Sequence, residues 1–261
     1  MALPFDTSVP SVARMYDVLL GGKDNFESDR AAVAKIVELE PEAPLVARRN
    51  RDYLRRAVRF LAVEAGVRQF LDVGSGLPSA GNVHEVAQEV APAARVVYVD
   101  NDPVVLTHAR ALLTSSPEGA CDYIDSDFRD TEAIISRAAK TLDFREPVAV
   151  MLLAILHFIG DKDDPWTTVA RLMAAVPPGS YLVISHALSE DLTGNQLEGL
   201  NAVYAETKSG GVTQRSLPGI ARFFEGLQLA DPGLVEISTW RPEAVAQPPR
   251  ALFYGGVGKK P

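Results

Sequence analysis

Phe70-Leu71-Asp72-Val73-Gly74-Ser75-Gly76-Leu77-Pro78 is the stretch that sets the fold. A short apolar run ends in two glycines, and a helical pattern follows over 82–90. Gly74 permits a tight turn, Ser75 fills it, and Gly76 lets the backbone approach a bound group closely. A lone G-x-G is common in loops, but two features sharpen this one. Asp72 stands two residues before the first glycine, and Pro78 stands near the place of a usual third glycine. A diphosphate cradle works through backbone donors and gains nothing from a carboxylate beside it. The acid suits a ligand with an ammonium and no phosphate, which favours such a ligand over NAD.

Working outward, strand and helix patterns alternate from residue 67. Strands are predicted at 69–73, 95–100, 121–124, 147–153 and 181–185, with helices at 82–90, 103–113, 131–140 and 166–176 between them. Such a series predicts a parallel, doubly wound sheet with right-handed crossovers. Two more helices are expected at 190–208 and 216–226. Runs at 234–238 and 252–254 have no helix between them and suit an antiparallel pair at the sheet edge. The first 67 residues read as three helices. Ser11 caps the first, which Gly21-Gly22 stop. Asp24-Asn25-Phe26-Glu27 has capping-box spacing and opens the second, and Pro44 opens the third. The expected fold is therefore α/β and Rossmann-like, a seven-stranded mostly parallel sheet with helices on both faces. Its expected units are a helical extension, 1–67, and a sheet domain, 68–261.

Composition narrows the function. The chain has 261 residues, 47% of them hydrophobic, and one cysteine, Cys121. That excludes an intramolecular disulfide and a Cys-rich zinc site, and no metal ligand set is assigned. The N-terminus has no basic start followed by an apolar run. The longest apolar stretch, 148–159, is too short for a bilayer and contains His157. A cytoplasmic protein with no membrane partner is expected. The net charge is −8, and the excess acid falls after residue 68, which argues against a nucleic-acid partner. The exception is 48–59, with six arginines and one acid; it is either a solvated helix face or one that turns some arginines, such as Arg51, to a cleft.

Candidate site residues follow the strand ends. Asp100 closes the second strand, where a carboxylate can hold both hydroxyls of a ribose or else cap the turn through Asn101-Asp102-Pro103. After the third strand, Asp127 can accept from an exocyclic amine and Phe128 can pack on a ring, or Asp125-Ser126-Asp127 is an N-cap cluster. His157 falls just past the fourth strand, where a neutral imidazole can serve as a general base or stand as a structural histidine. His84 and His108 on helices, and His186 ending the fifth strand, have weaker cases.

With these residues in view, the sequence resembles class I S-adenosylmethionine-dependent methyltransferases. More closely, it is similar to an actinobacterial S-adenosyl methyltransferase-like family once grouped as a domain of unknown function. The distinctive pieces are Ser11 through Phe26, Phe70 through Pro78 with Asn82-Val83-His84-Glu85, and Val97 through Pro103. The resemblance covers nearly the whole chain. It implies S-adenosylmethionine as cofactor, S-adenosylhomocysteine as product, and residues 1–67 as a lid with Tyr16, Lys23, Asn25 and Arg51 reaching inward. It further implies that Gly74 and Gly76 line the methionine part with Asp72 near its ammonium. Asp100 would hold the ribose, Asn101 would lie beside the adenosine, Asp127 and Phe128 would meet adenine, and Ala154 and His157 would edge the cleft. Ala154-Ile155-Leu156-His157 replaces the N/D-P-P-Y/F signature of amino-methylating nucleic-acid enzymes, which favours a small-molecule oxygen or nitrogen acceptor. Two other functions share parts of the pattern: an NAD-dependent oxidoreductase, and a non-catalytic cofactor-binding regulator. Residues 190–230, with Tyr204, Arg215, Arg222, Phe223 and Phe224, either shape an acceptor pocket or form ordinary core helices.

Overall fold

Strand β1 (Gln69–Val73) pairs in parallel with β2 (Arg95–Asp100) on one side and β4 (Ala149–Leu153) on the other. In the computed structural model, which describes residues 6–112, 114–188, 192–242 and 252–261, β3 (Ala120–Asp125) and β5 (Tyr181–Ala187) extend the sheet in parallel outward from β2 and β4. Apolar β-branched runs such as Val96-Val97-Tyr98-Val99 supply strands buried on both faces, as a parallel sheet covered by helices needs. β8 (Phe253–Lys259) then lies antiparallel to β5, and β6 (Gln228–Leu229) to β8, giving the order β3-β2-β1-β4-β5-β8-β6.

The strand count corrects the expectation of seven. The outermost position is split into β6 (Gln228–Leu229) and β7 (Val235–Glu236), both paired with β8, so the sheet has eight strands among the described residues. Between them the chain leaves the ladder at Pro232, which has no N–H to donate. β8 is also longer than the expected 252–254, because Gly255, Gly256 and Gly258 belong to it. A Cβ on Gly255 would lie 2.8 Å from the Tyr53 ring, and one on Gly258 would lie 2.8 Å from Phe224. The strand uses glycine so that these rings can pack on it.

Helices cover both faces. Leu71, Val97, Val150, Leu182 and Ile184 pack against Ile134 of α6 (Thr131–Ala138) and Leu172 of α7 (Pro165–Ala175). On the other face Phe70, Val96, Met151 and Val183 meet Tyr53, Ala57 and Leu61 of α3 (Ala43–Val63) and Ala87 of α4 (Val83–Val90). The Tyr53 hydroxyl donates toward Gly256 O at 2.9 Å and Ile184 O at 3.2 Å, tying α3 to β8 and β5. α3 is thus a layer of the sheet. Within residues 1–67, only α1 (Val12–Leu19) and α2 (Glu27–Leu39) stand apart from that layer.

α1 and α2 join α8 (Gly194–Ala205) in a third apolar cluster of Met15, Leu19, Val33, Ile36, Leu200 and Val203. α2 begins two residues later than its capping-box spacing predicts: Phe26 is the N-cap, and only the carboxylate half of a box is made, Asp29 Oδ2 accepting from Phe26 N at 2.8 Å. Pro103 opens α5 (Pro103–Leu112), and Leu217 and Pro218 open the short α9 (Leu217–Ala221). Leu113 and residues 190–191, ends of two predicted helices, lie outside the described residues. No helix among those described is long and apolar enough to cross a membrane.

Candidate functional site

The strand order reverses between β1 and β4, and in an open parallel sheet such a switch leaves a crevice at the carboxyl ends of the strands. Here the crevice is a cavity of about 400 Å³ roofed by α1, α2 and α8, a volume typical of small-molecule sites. Tyr16, Arg51, Asp72, Gly74, Ser75, Gly76, Asp100, Asn101, Asp127, Phe128, Ala154 and His157 all line it.

Two expected residues do not. Lys23 is exposed, and neither it nor Asn25 belongs to the wall. Asp17 Oδ2 accepts from Asn25 Nδ2 at 2.8 Å and from Asp24 N at 3.0 Å, so the turn after α1 folds back on its own helix instead of reaching inward.

The glycine turn is built as its sequence requires. Gly74 has φ +76, and a Cβ there would fall 2.4 Å from Ile155 Cδ1. Gly76 has φ +66, with open space where a side chain would stand. The amides of Gly74 and Ser75 donate to Val99 O at 2.8 and 3.2 Å, and Gly76 N donates to Asp100 Oδ2 at 2.8 Å. The turn and the end of β2 therefore hold each other. Asp102 N donates to Asp100 Oδ1 at 3.0 Å, and Ser11 donates to Asp102, which pins the start of α1 beside this loop.

Asp72 is the unusual group. Its side chain is 5% exposed, yet its carboxylate makes no hydrogen bond or ion pair among the described residues. Burial pushes its pKa up to about 7, opposed by Arg51 and reinforced by Asp100. Asp100 is pushed up to about 6, again by burial, against the bonds from Asp102 and Gly76. Two acids beside one cavity, each costly to ionise there, leave it short of positive charge.

Nearby, Tyr16 donates to Ala47 O at 3.0 Å and accepts from Asn50 Nδ2 at 3.0 Å, and burial raises its pKa. Asn50 Oδ1 and Arg51 Nε are buried without a partner among the described residues. Asn50 also lines the cavity, a site residue the sequence marks only by its helical spacing from Ala47 and Leu54. Of the arginine run, Arg51 alone lines the cavity, while Arg56 donates to Trp240 O at 2.8 Å and Ile237 O at 2.6 Å. At the other end, Asp127 already accepts from Arg129 and from Asn101 Nδ2 at 3.1 Å, and Phe128 reaches the cavity from the core.

Past β4, Ala154 adopts φ +55, a conformation L residues rarely take, held by its amide donating to Ser185 O at 3.1 Å and Ser185 Oγ at 3.0 Å. The kink directs the chain into the 3₁₀ turn Leu156–Phe158, which carries His157. Burial holds the His157 pKa well below the histidine range, with His186 and Arg215 adding to the effect. The ring is neutral at physiological pH. Phe158 and Tyr204 extend the wall from there, 5.1 Å between ring centres. Of the other residues weighed around 190–230, Arg215, Arg222, Phe223 and Phe224 lie outside it.

A sheet of order 3-2-1-4-5 with an antiparallel closing strand and an acid–glycine turn at its switch point defines the class I methyltransferase architecture. A family model described as S-adenosyl methyltransferase matches residues 2–261. A DUF574 family protein from Streptomyces avermitilis MA-4680 is 42% identical, with a TM-score of 0.93 over 98% of this chain and 99% of that one. A candidate methyltransferase from Thermobifida fusca YX is also 42% identical, with a TM-score of 0.89 over 98% and 96%. An O-methyltransferase family protein from Burkholderia thailandensis shares the fold at 15% identity and a TM-score of 0.54, over 92% of this chain and 62% of that one. No curated protein matches the chain. The chain belongs to the S-adenosyl methyltransferase family and is an S-adenosylmethionine-dependent methyltransferase. Its wall fits that cofactor: an unpartnered buried carboxylate at Asp72 suits an ammonium, and the open side of Gly76 admits close approach.

Proposed function

We propose that the enzyme methylates an oxygen or nitrogen nucleophile of a small molecule. The observation that carries this is the roof: α1, α2 and α8 lie over the strand ends and leave a cavity sized for a small ligand, walled in part by Leu19, Ile36, Leu200, Phe158 and Tyr204. The cofactor supplies an electrophilic methyl on a sulfonium.

The roles of the chain follow from its chemistry. Asp72 takes the ammonium, with Gly74, Ser75 and Gly76 along the methionine part and Arg51 and Tyr16 on the α1 and α3 side. Asp100 takes the ribose, Asn101 lies beside it, and Asp127 and Phe128 bound the base. Ala154 and His157 edge the space where the acceptor meets the methyl. Holding nucleophile and methyl in line contributes up to about 7–11 kcal/mol in favourable cases, which leaves little for a dedicated base to supply. α1 and α2 act as the lid, a narrower assignment than residues 1–67. Nucleic acid and membrane are not partners in this proposal, and the cytoplasm is the site of action, where the lone Cys121 stays a free thiol.

Mass spectrometry of small-molecule, nucleic-acid and protein pools incubated with enzyme and S-adenosylmethionine tests this. One added methyl on a small molecule is expected. A methyl found only on polymer would refute the proposal.

A further inference from the structure

Arg215 is almost fully buried, and its guanidinium is saturated. Nη1 donates to Leu156 O at 2.8 Å and to His186 Nε2 at 2.9 Å; Nη2 donates to Ile159 O at 2.7 Å and Asp161 Oδ1 at 2.6 Å. Nε also reaches Asp161, and the rings of Trp166 and Phe223 lie 5.1 and 5.5 Å from the guanidinium carbon.

A guanidinium can only donate. His186 Nε2 must therefore hold a lone pair, and the hydrogen of this neutral ring sits on Nδ1. That nitrogen is 2.6 Å from Ala187 O, which can only accept, so the assignment agrees at both ends. The same peptide segment continues the chain: Ala187 N donates to His157 Nδ1 at 3.4 Å. A backbone N–H can only donate, so His157 Nδ1 also holds its lone pair, and its hydrogen is on Nε2. No described residue bonds to Nε2, and His157 is part of the cavity wall.

We infer that the Ala187 backbone amide, on the strand end that Arg215 braces through His186, fixes His157 as a hydrogen-bond donor to the methyl acceptor, and that the acceptor reacts through an oxygen already ionised, a carboxylate or an acidic phenol. This rests on the proposed function and replaces a general-base role for His157. A general base must present a lone pair, and here the free nitrogen carries the hydrogen. A neutral amine has one lone pair; bonded to Nε2–H it is not free to attack. An oxyanion has several, so one accepts from His157 while another attacks. The O–CH₃ bond forms as the S–CH₃ bond breaks, sulfur keeps the electron pair, and no proton moves. Arg51 and Lys208 in the wall add positive charge for such an anion.

Nitrogen-15 NMR of the full-length protein labelled at histidine tests the relay with no acceptor present. His157, assigned with His157→Gln or by through-bond correlation if that variant does not fold, is expected as a single neutral tautomer with hydrogen on Nε2. Arg215→Gln is expected to leave both tautomers as they are, because Ala187 O still accepts at His186 and Ala187 N still donates to His157. Hydrogen on His157 Nδ1 in the wild type overturns the inference even if no variant folds, as does a His157 tautomer that switches in a folded Arg215→Gln. With methyl-tritiated cofactor and a mixture of small carboxylic acids, phenols and amines, label is expected on oxygen, and label on nitrogen refutes it. Label nowhere counts against the proposed function, and the histidine spectra still decide the relay.

Discussion

Replacing Asp72 by asparagine separates what the acid costs the fold from what it does for the cofactor. In the unfolded chain this carboxyl ionises near its ordinary 3.8, and in the folded protein near 7, with burial as the main cause. Between those values the folded protein keeps a proton that the unfolded chain has lost. The Asp72 contribution to wild-type stability therefore falls as pH rises from about 4 to about 7 and levels off above that. About three pH units at roughly 1.4 kcal/mol each give about 4 kcal/mol, fully expressed at pH 8 and absent at pH 4. Asp72→Asn carries no such charge. Without cofactor it should match wild type at pH 4 and exceed it at pH 8 by up to about 4 kcal/mol, at about 2–4 °C in Tm per kcal/mol. The same change removes the partner of a buried ammonium, which costs about 2–5 kcal/mol, at least about 30-fold in affinity for S-adenosylmethionine. Urea unfolding at the two pH values and calorimetry read the two effects. A variant no more stable than wild type at pH 8, or one that binds the cofactor equally well, would refute the reasoning.

Asp100→Ala should weaken S-adenosylmethionine binding at least about tenfold in calorimetry, since a good hydrogen bond to a charged group contributes about 1.5–3 kcal/mol; unchanged affinity would remove Asp100 from the ribose. Gly74→Ala meets both φ +76 and the Ile155 side chain, and urea unfolding should show a loss of about 1–3 kcal/mol. Tyr53→Phe gives up the hydroxyl shared by Gly256 O and Ile184 O, a cost of about 1 kcal/mol by the same measurement. Leu200→Ala opens the roof cluster and should cost about 2–5 kcal/mol, with faster hydrogen exchange in α8 than in β4 as its local signature.

Much of the site was legible because it sits where local pattern and topology coincide. Asp72, the two glycines, Asp100 and His157 each close or follow a strand, and in a doubly wound sheet the ends of parallel strands share one side. Lys23 and Asn25 were misplaced because Gly21-Gly22 fix a turn without fixing its direction; Asp17 decides that. Asn50 was hidden in a run of arginines whose charge drew attention from the helix face it shares. The glycine-rich β8 was cut short because glycine lowers strand propensity, while the rings that require it there, Tyr53 and Phe224, are distant in sequence.

The alternation of strands and helices, the acid–glycine turn and the residues at the strand ends are written in local pattern, since periodicity and turn chemistry record each segment's own burial and backbone demands. The tertiary structure decided which partners those residues have. Among the described residues Asp72 has none, His186 has Arg215, and Tyr53 has a strand 203 residues away. A hydrogen-bond partner brought in by folding leaves no mark on the spacing of neighbours, yet it sets whether a carboxyl is costly to ionise and which nitrogen of a histidine keeps its hydrogen.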